Sequence, residues 1–142
     1  MNRIFFILIF QLFLVSHLSY ANHVTVKVTD FVDATSPIYV FGYDRKFFFE
    51  ENHVPLFMLK ERDINKFNQI NLRAFPHIVV GLFAFQDLDS NGEITLNFKG
   101  DPLEPYGFSL NPDVNYQDVV FENFAFDMKK FDEIEINLRN NF

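Results

Sequence analysis

Polar and apolar residues alternate along most of this chain with a period of two, the signature of strands that bury one face. Val24, Val26 and Val28 fall on one side and Thr25 and Lys27 on the other, which predicts a half-buried strand. Residues 38–43 read as a second, mostly apolar strand behind Ser36-Pro37. A third is expected from Pro55 to about Lys60. A fourth is expected over 67–72, where Phe67, Ile70 and Leu72 alternate with one register step. Residues 78–85, IVVGLFAF, form an unbroken apolar run, as expected for a central strand covered on both faces. Ile94, Leu96 and Phe98 alternate with Thr95 and Asn97 and predict a short strand or hairpin return. Residues 119–128 and 131–138 are expected to form a final pair. In its second member Ile134, Ile136 and Leu138 point inward, while Glu133, Glu135 and Asn137 face water. Residues 46–51 lack strand alternation and predict a short helix or an aromatic plug.

About seven short strands with no sustained helical period, no internal repeat and no linker indicate an all-β fold. The architecture they predict is an antiparallel β-sandwich of immunoglobulin or transthyretin type. Residues 22–142 suit a single domain. Residues 1–21 read differently. Asn2-Arg3 is weakly basic, residues 4–15 are apolar apart from Gln11, and Ser19 and Ala21 place small side chains before a cut after Ala21. That order describes a secretory signal peptide. The apolar run is shorter than the roughly 20 residues that span a bilayer. The expectation is an exported protein, periplasmic or extracellular, that is not integral to a membrane once the signal is removed.

Composition sharpens this picture in three places. The net charge is −7, and losing Arg3 makes it one unit more negative. Scattered negative charge suits neither nucleic acid nor anionic membranes. There are no cysteines, so export brings no disulfides and stability must come from the core. Phe occurs 21 times and Trp never. The phenylalanines either pack the interior of the sandwich or form an aromatic binding face for sugars or lipids.

The candidate chemistry lies in 87–111, DLDSNGEITLNFKGDPLEPYGFSLN. As a calcium loop, Asp87, Asp89 and Asn91 occupy positions 1, 3 and 5, and Gly92 takes the sharp bend at 6. Glu93 would offer its backbone carbonyl at 7 and Thr95 its hydroxyl, or a bridging water, at 9. Alternate oxygens then converge on a hard cation as the chain curls around it. Position 12 is Phe98, where such loops carry a bidentate Glu, so binding is expected to be weak unless Glu104 or Asp101 folds back to complete the shell. The alternative is a plain hairpin turn, for which Asn-Gly suffices. In the segment that follows, Tyr106 and Phe108 could form a stacking platform with Ser109 and Asn111 as hydrogen bonders. Alternatively one ring plugs the open end of the sandwich while Gly107 takes a dihedral other residues cannot.

These residues carry a resemblance. A long apolar strand, then D-x-D-x-N-G-x-I, then Gly100, Pro102, Glu104, Tyr106, Gly107, Phe108, Ser109 and Asn111, resembles an uncharacterised bacterial family, domain of unknown function 2141. The aromatic stretch 120–126, VFENFAF, is similar to the strand that follows in that family. The resemblance implies an exported β-sandwich with no established activity. The chain departs from the pattern at Thr95, where the family usually carries an acid, at Pro76-His77 and at Glu122-Asn123. No catalytic constellation assembles. His23, His53 and His77 lack metal-ligand spacing, and no Ser sits in a nucleophile elbow. A binding or structural protein of the cell envelope, with an unidentified partner and a weak calcium loop at 87–97, is the expected function. A carbohydrate- or lipid-binding module is the alternative, and a hydrolase the least favoured reading.

Overall fold

The computed structural model describes residues 23–63, 66, 70–73 and 79–140. Residues 1–22, where the signal peptide is expected, lie outside the described residues, as do Phe67, Pro76-His77 and Ile78.

Among the described residues eight strands and two single-turn helices follow one another as β1 (His23–Thr29), β2 (Ile38–Tyr43), α1 (Arg45–Phe48), β3 (Phe57–Glu61), β4 (Ile70–Arg73), β5 (Val79–Gln86), β6 (Tyr106–Phe108), α2 (Phe121–Phe124), β7 (Ala125–Asp127) and β8 (Glu133–Asn137). They form two sheets, one of order β4-β1-β8 and one of order β3-β2-β5-β6 with β7 also on β5. The fold is an all-β sandwich, as the alternation predicts, with one strand more than expected. All neighbours are antiparallel except β1 and β8, which run parallel with Val26 opposite Ile134 and Val28 opposite Ile136. The first and last strands therefore close one sheet.

Between the sheets the core is mostly aliphatic, with Phe126 the one buried ring among the residues of this cluster. Val24, Val26 and Val28 of β1 meet Val80, Leu82 and Ala84 of β5, with Ile134, Ile136 and Leu138 beside them. Most buried rings go elsewhere. On the opposite face of the five-stranded sheet, Tyr39 stacks on Phe85 with centroids 5.2 Å apart, and Phe41 on the same ring at 6.0 Å. Phe48 from α1 and Phe121 and Phe124 from α2 cover that layer. A phenylalanine-filled sandwich interior is thus not what forms. Two sheets about 10 Å apart leave room for interdigitating aliphatic chains. The outer face has no second sheet, so large flat rings bury it instead. The central strand is covered on both faces as expected, by a sheet on one side and an aromatic layer on the other.

Gly81 shows the fit. A Cβ there would lie 2.4 Å from the Phe124 ring, which is itself fully buried. α1 starts where Asp44 accepts a hydrogen bond from the Phe47 N–H at 2.8 Å, and an Arg45–Glu122 ion pair ties α1 to α2.

Two expected elements differ. Residues 94–98 form only an isolated bridge, Leu96 to Pro102, because the chain turns back at 97–100 before a ladder can extend. Residues 119–128 and 131–138 are not partners. α2 interrupts the first, its remainder β7 pairs with β5, and β8 joins β1 in the other sheet.

The 87–111 segment, a candidate metal centre

Strand β5 ends at Gln86, and its fully buried side chain anchors the neighbouring loop. Its amide donates to the Asp33 carbonyl at 2.7 Å and accepts from the Val32 N–H at 2.8 Å. The next residue, Asp87, is also fully buried. Its carboxylate accepts from the N–H groups of Asn91 and Gly92, both at 3.1 Å. Gly92 has φ +85°, the left-handed bend its position in the loop predicts.

Glu104 does fold back. It is 4% exposed, and its two oxygens accept from the N–H groups of Leu88 at 2.7 Å and Thr95 at 2.9 Å. Two buried carboxylates therefore clamp opposite ends of the turn. One oxygen each of Asp87, Asp89 and Glu104 lies within 4.8 Å of the others. Asp101 is not the closing acid. It faces Asn97, whose amide donates to it at 3.1 Å, and Gln117, which donates at 3.1 Å.

Asn91 and Thr95 gather around Asp89. The Thr95 hydroxyl donates to Asp89 Oδ2 at 2.9 Å, and the Asn91 amide donates to the same oxygen at 3.1 Å. The Asn91 side-chain oxygen, Oδ1, is occupied by the Glu93 N–H at 2.7 Å. The Glu93 side chain is exposed and stands apart from the three-acid group. Each ionised carboxylate has about four lone-pair sites. Asp87 and Glu104 each use two of theirs on backbone N–H groups, so both retain acceptor capacity toward a hard cation.

The residues downstream are structural partners of the sheets. Tyr106 and Phe108 are 2% and 6% exposed and pack in the outer aromatic layer against Phe83, Phe85 and Tyr116, so they present no stacking platform. Nor does either plug the end of the sandwich. Between them Gly107 faces the other way, and its φ is not positive. A Cβ there would lie 2.5 Å from the Asn137 carbonyl oxygen, so the residue is glycine because β6 crosses close over β8.

Ser109 is fully buried where β6 and β7 part along one edge of β5. Leu82, the β5 residue left between them, donates its N–H to Ser109 Oγ at 2.9 Å and accepts from the Ser109 N–H at 2.9 Å. The hydroxyl donates onward to the Phe124 carbonyl at 2.5 Å. Asn111 does similar work on the outer edge of β8. Its amide donates to the Glu135 carbonyl at 3.0 Å and accepts from the Asn137 N–H at 2.8 Å.

Sequence reasoning did not find a second feature, an aromatic cleft between β2, α1, β5 and the 116–119 turn. Its residues come from separate segments, and no local spacing marks them. Two of its phenols have altered acidity. Burial, with Tyr116 nearby, pushes the Tyr43 hydroxyl up to about 12, and burial beside Tyr106 raises that of Tyr116.

No helix among the described residues is long and apolar enough to cross a membrane. No curated protein and no solved structure matches the chain. Residues 26–136 match the family described as "Uncharacterized protein conserved in bacteria", domain of unknown function 2141, which covers both sheets and the whole 87–111 segment. The chain belongs to that family.

Proposed function

We propose that this chain is an exported β-sandwich that binds or scaffolds at the cell envelope, with calcium ordering the 87–97 turn. The observation that carries the calcium part is the convergence of Asp87, Asp89 and Glu104. The ion pairs Lys27–Glu133, Arg45–Glu122 and Lys66–Glu61 lie elsewhere. At an effective dielectric of about 20, two unit charges at the outer limit of 4.8 Å repel by roughly 3.5 kcal/mol. The backbone N–H groups on Asp87 and Glu104 offset part of that repulsion. A hard divalent cation would offset the rest with oxygen ligands of the right kind. Asp89, with Thr95 and Asn91 holding its orientation, is the ligand on the solvent side.

The test is a thermal melt in calcium and then in chelator. At about 2 mM ion and a dissociation constant of about 0.1 mM, linkage gives about 1.8 kcal/mol of stabilisation. Asp89→Asn removes one of three mutually repelling charges, so it should hold or raise the melting temperature in chelator and abolish the calcium shift. Identical curves in calcium and chelator would remove the metal from the proposal.

Export rests on residues 1–21. Protein recovered from the envelope or medium of its host should have a mass beginning at Asn22, and a mass beginning at Met1 would contradict export by cleavage. The reading assigns no catalytic residue. His53 stands at the rim of the aromatic cleft and His23 opens β1.

A further inference from the structure

The aromatic layer is not filled everywhere. A cleft of about 280 Å³ opens in it, lined by Tyr43, Phe48, His53, Phe83, Phe108 and Tyr116, with Gln117 and Val119 at one side. None of these residues belongs to the 87–104 turn. Phe48, Phe83 and Phe108 are nine-tenths or more buried and form apolar walls. Phe48 meets Tyr43 edge-on with centroids 5.7 Å apart, and Phe83 lies 5.9 Å from Tyr116.

The polar groups of the cleft are few: the Gln117 amide is committed to the Lys99 carbonyl and to Asp101, and the two phenols are left. Neither phenol hydroxyl, Tyr43 or Tyr116, hydrogen-bonds to protein among the described residues. Both stay wet enough that they are not stranded donors. His53 has φ +43°, a left-handed conformation that non-glycine residues adopt only where surroundings hold them. That conformation accompanies a ring 4.9 Å from Phe48. No Lys, Arg, Asp or Glu lines the cleft. Apolar walls with a few convergent polar groups are the usual make-up of a small-molecule site. An apolar cavity of about 150 Å³ admits benzene, so this one has room for one or two rings.

We propose that the cleft binds an uncharged aromatic molecule of one or two rings carrying a hydrogen-bonding group. Its rings lie against Phe48, Phe83 and Phe108, and its polar edge meets the hydroxyls of Tyr43 and Tyr116. The absence of an acid in the lining favours a neutral ligand over an organic cation, although aromatic rings can hold either. The inference is independent of the calcium turn.

Indole added to the full chain is the test. The chain contains no Trp, so emission excited beyond the tyrosine band comes from indole alone. A saturable blue shift of that emission, with movement of the Val119 methyl resonances, is expected. Val119→Phe fills the cleft and should abolish the shift. Tyr43→Phe should weaken binding about fivefold, the worth of one ordinary hydrogen bond. Circular dichroism of both variants should match that of the parent. If Val119→Phe does not fold, Tyr43→Phe and the methyl resonances decide alone. Unmoved indole emission, equal binding by Val119→Phe, or binding of tetramethylammonium in place of indole would each overturn the proposal.

Discussion

One serine holds this molecule where its strands part, and one glycine where they cross. Ser109 stands in for a missing stretch of ladder, giving Leu82 both an acceptor and a donor while its hydroxyl donates a hydrogen bond to the Phe124 carbonyl. All these groups are out of water, so losing the hydroxyl leaves a buried N–H and a buried carbonyl without a partner. Ser109→Ala should cost about 2 kcal/mol. In a domain of this size that lowers the melting temperature by roughly 8 °C. The same substitution should leave any calcium shift intact, since Ser109 touches none of the three acids. A melting temperature within a degree of the parent would mean that water replaces the hydroxyl. Gly107 teaches the complementary lesson. Its requirement comes from a carbonyl of β8 lying where a Cβ would be, not from its own dihedral. Sequence alone cannot distinguish those two reasons.

At the level of elements, legibility tracked how local the physics is. Strands β1, β2, β5 and β8 were readable because burial of one face, or of both, imposes a pattern within a single run of consecutive residues. The turn at Gly92 was readable for the same reason. So was the return of Glu104, since an oxygen-rich loop lacking its last carboxylate invites one from nearby. β6 was missed because it has three residues and sits in a Pro- and Gly-bearing stretch that reads as a loop. The pairing of the last segments was misread because strand partners are chosen by the whole core. β8 closes against β1, more than 100 residues away, and β7 shares the edge of β5 with β6. The destination of the phenylalanines was not readable either. Composition says that rings will be buried, not on which side of a sheet. The 120–126 stretch, with rings at 121, 124 and 126, reads as part of one strand but splits into α2 and β7. That split lets Phe124 seat on Gly81.

For the whole molecule, the two ends of the pH scale act on different layers. Hydrogen bonds from Ser36 and Thr35 hold the Asp33 carboxyl at about 2, in the loop that Gln86 pins to the end of β5. A carboxyl whose folded value lies below its unfolded value near 4 binds its proton more readily in the unfolded chain. The stability it contributes is present above about pH 4 and is lost as pH falls toward 2. Glu61, held low by the N–H groups of Asp63 and Arg62, acts in the same direction. The phenols behave oppositely. Tyr43, raised to about 12, and Tyr116, raised as well, keep their protons in the fold after an unfolded phenol near 10 has lost its own. The contribution of Tyr43 is complete below about pH 10 and disappears as pH rises toward 12, and Tyr116 acts in the same direction. The urea midpoint should therefore be flat with respect to these groups between about pH 4 and 10 and fall on both sides. Asp33→Asn should flatten the acid limb without touching the alkaline one, and Tyr43→Phe the reverse. Absorbance of phenolate should show Tyr43 titrating late, in step with loss of the aromatic layer. An alkaline limb unchanged in Tyr43→Phe would place the alkaline sensitivity outside the cleft and leave Tyr43 as a wall of it only.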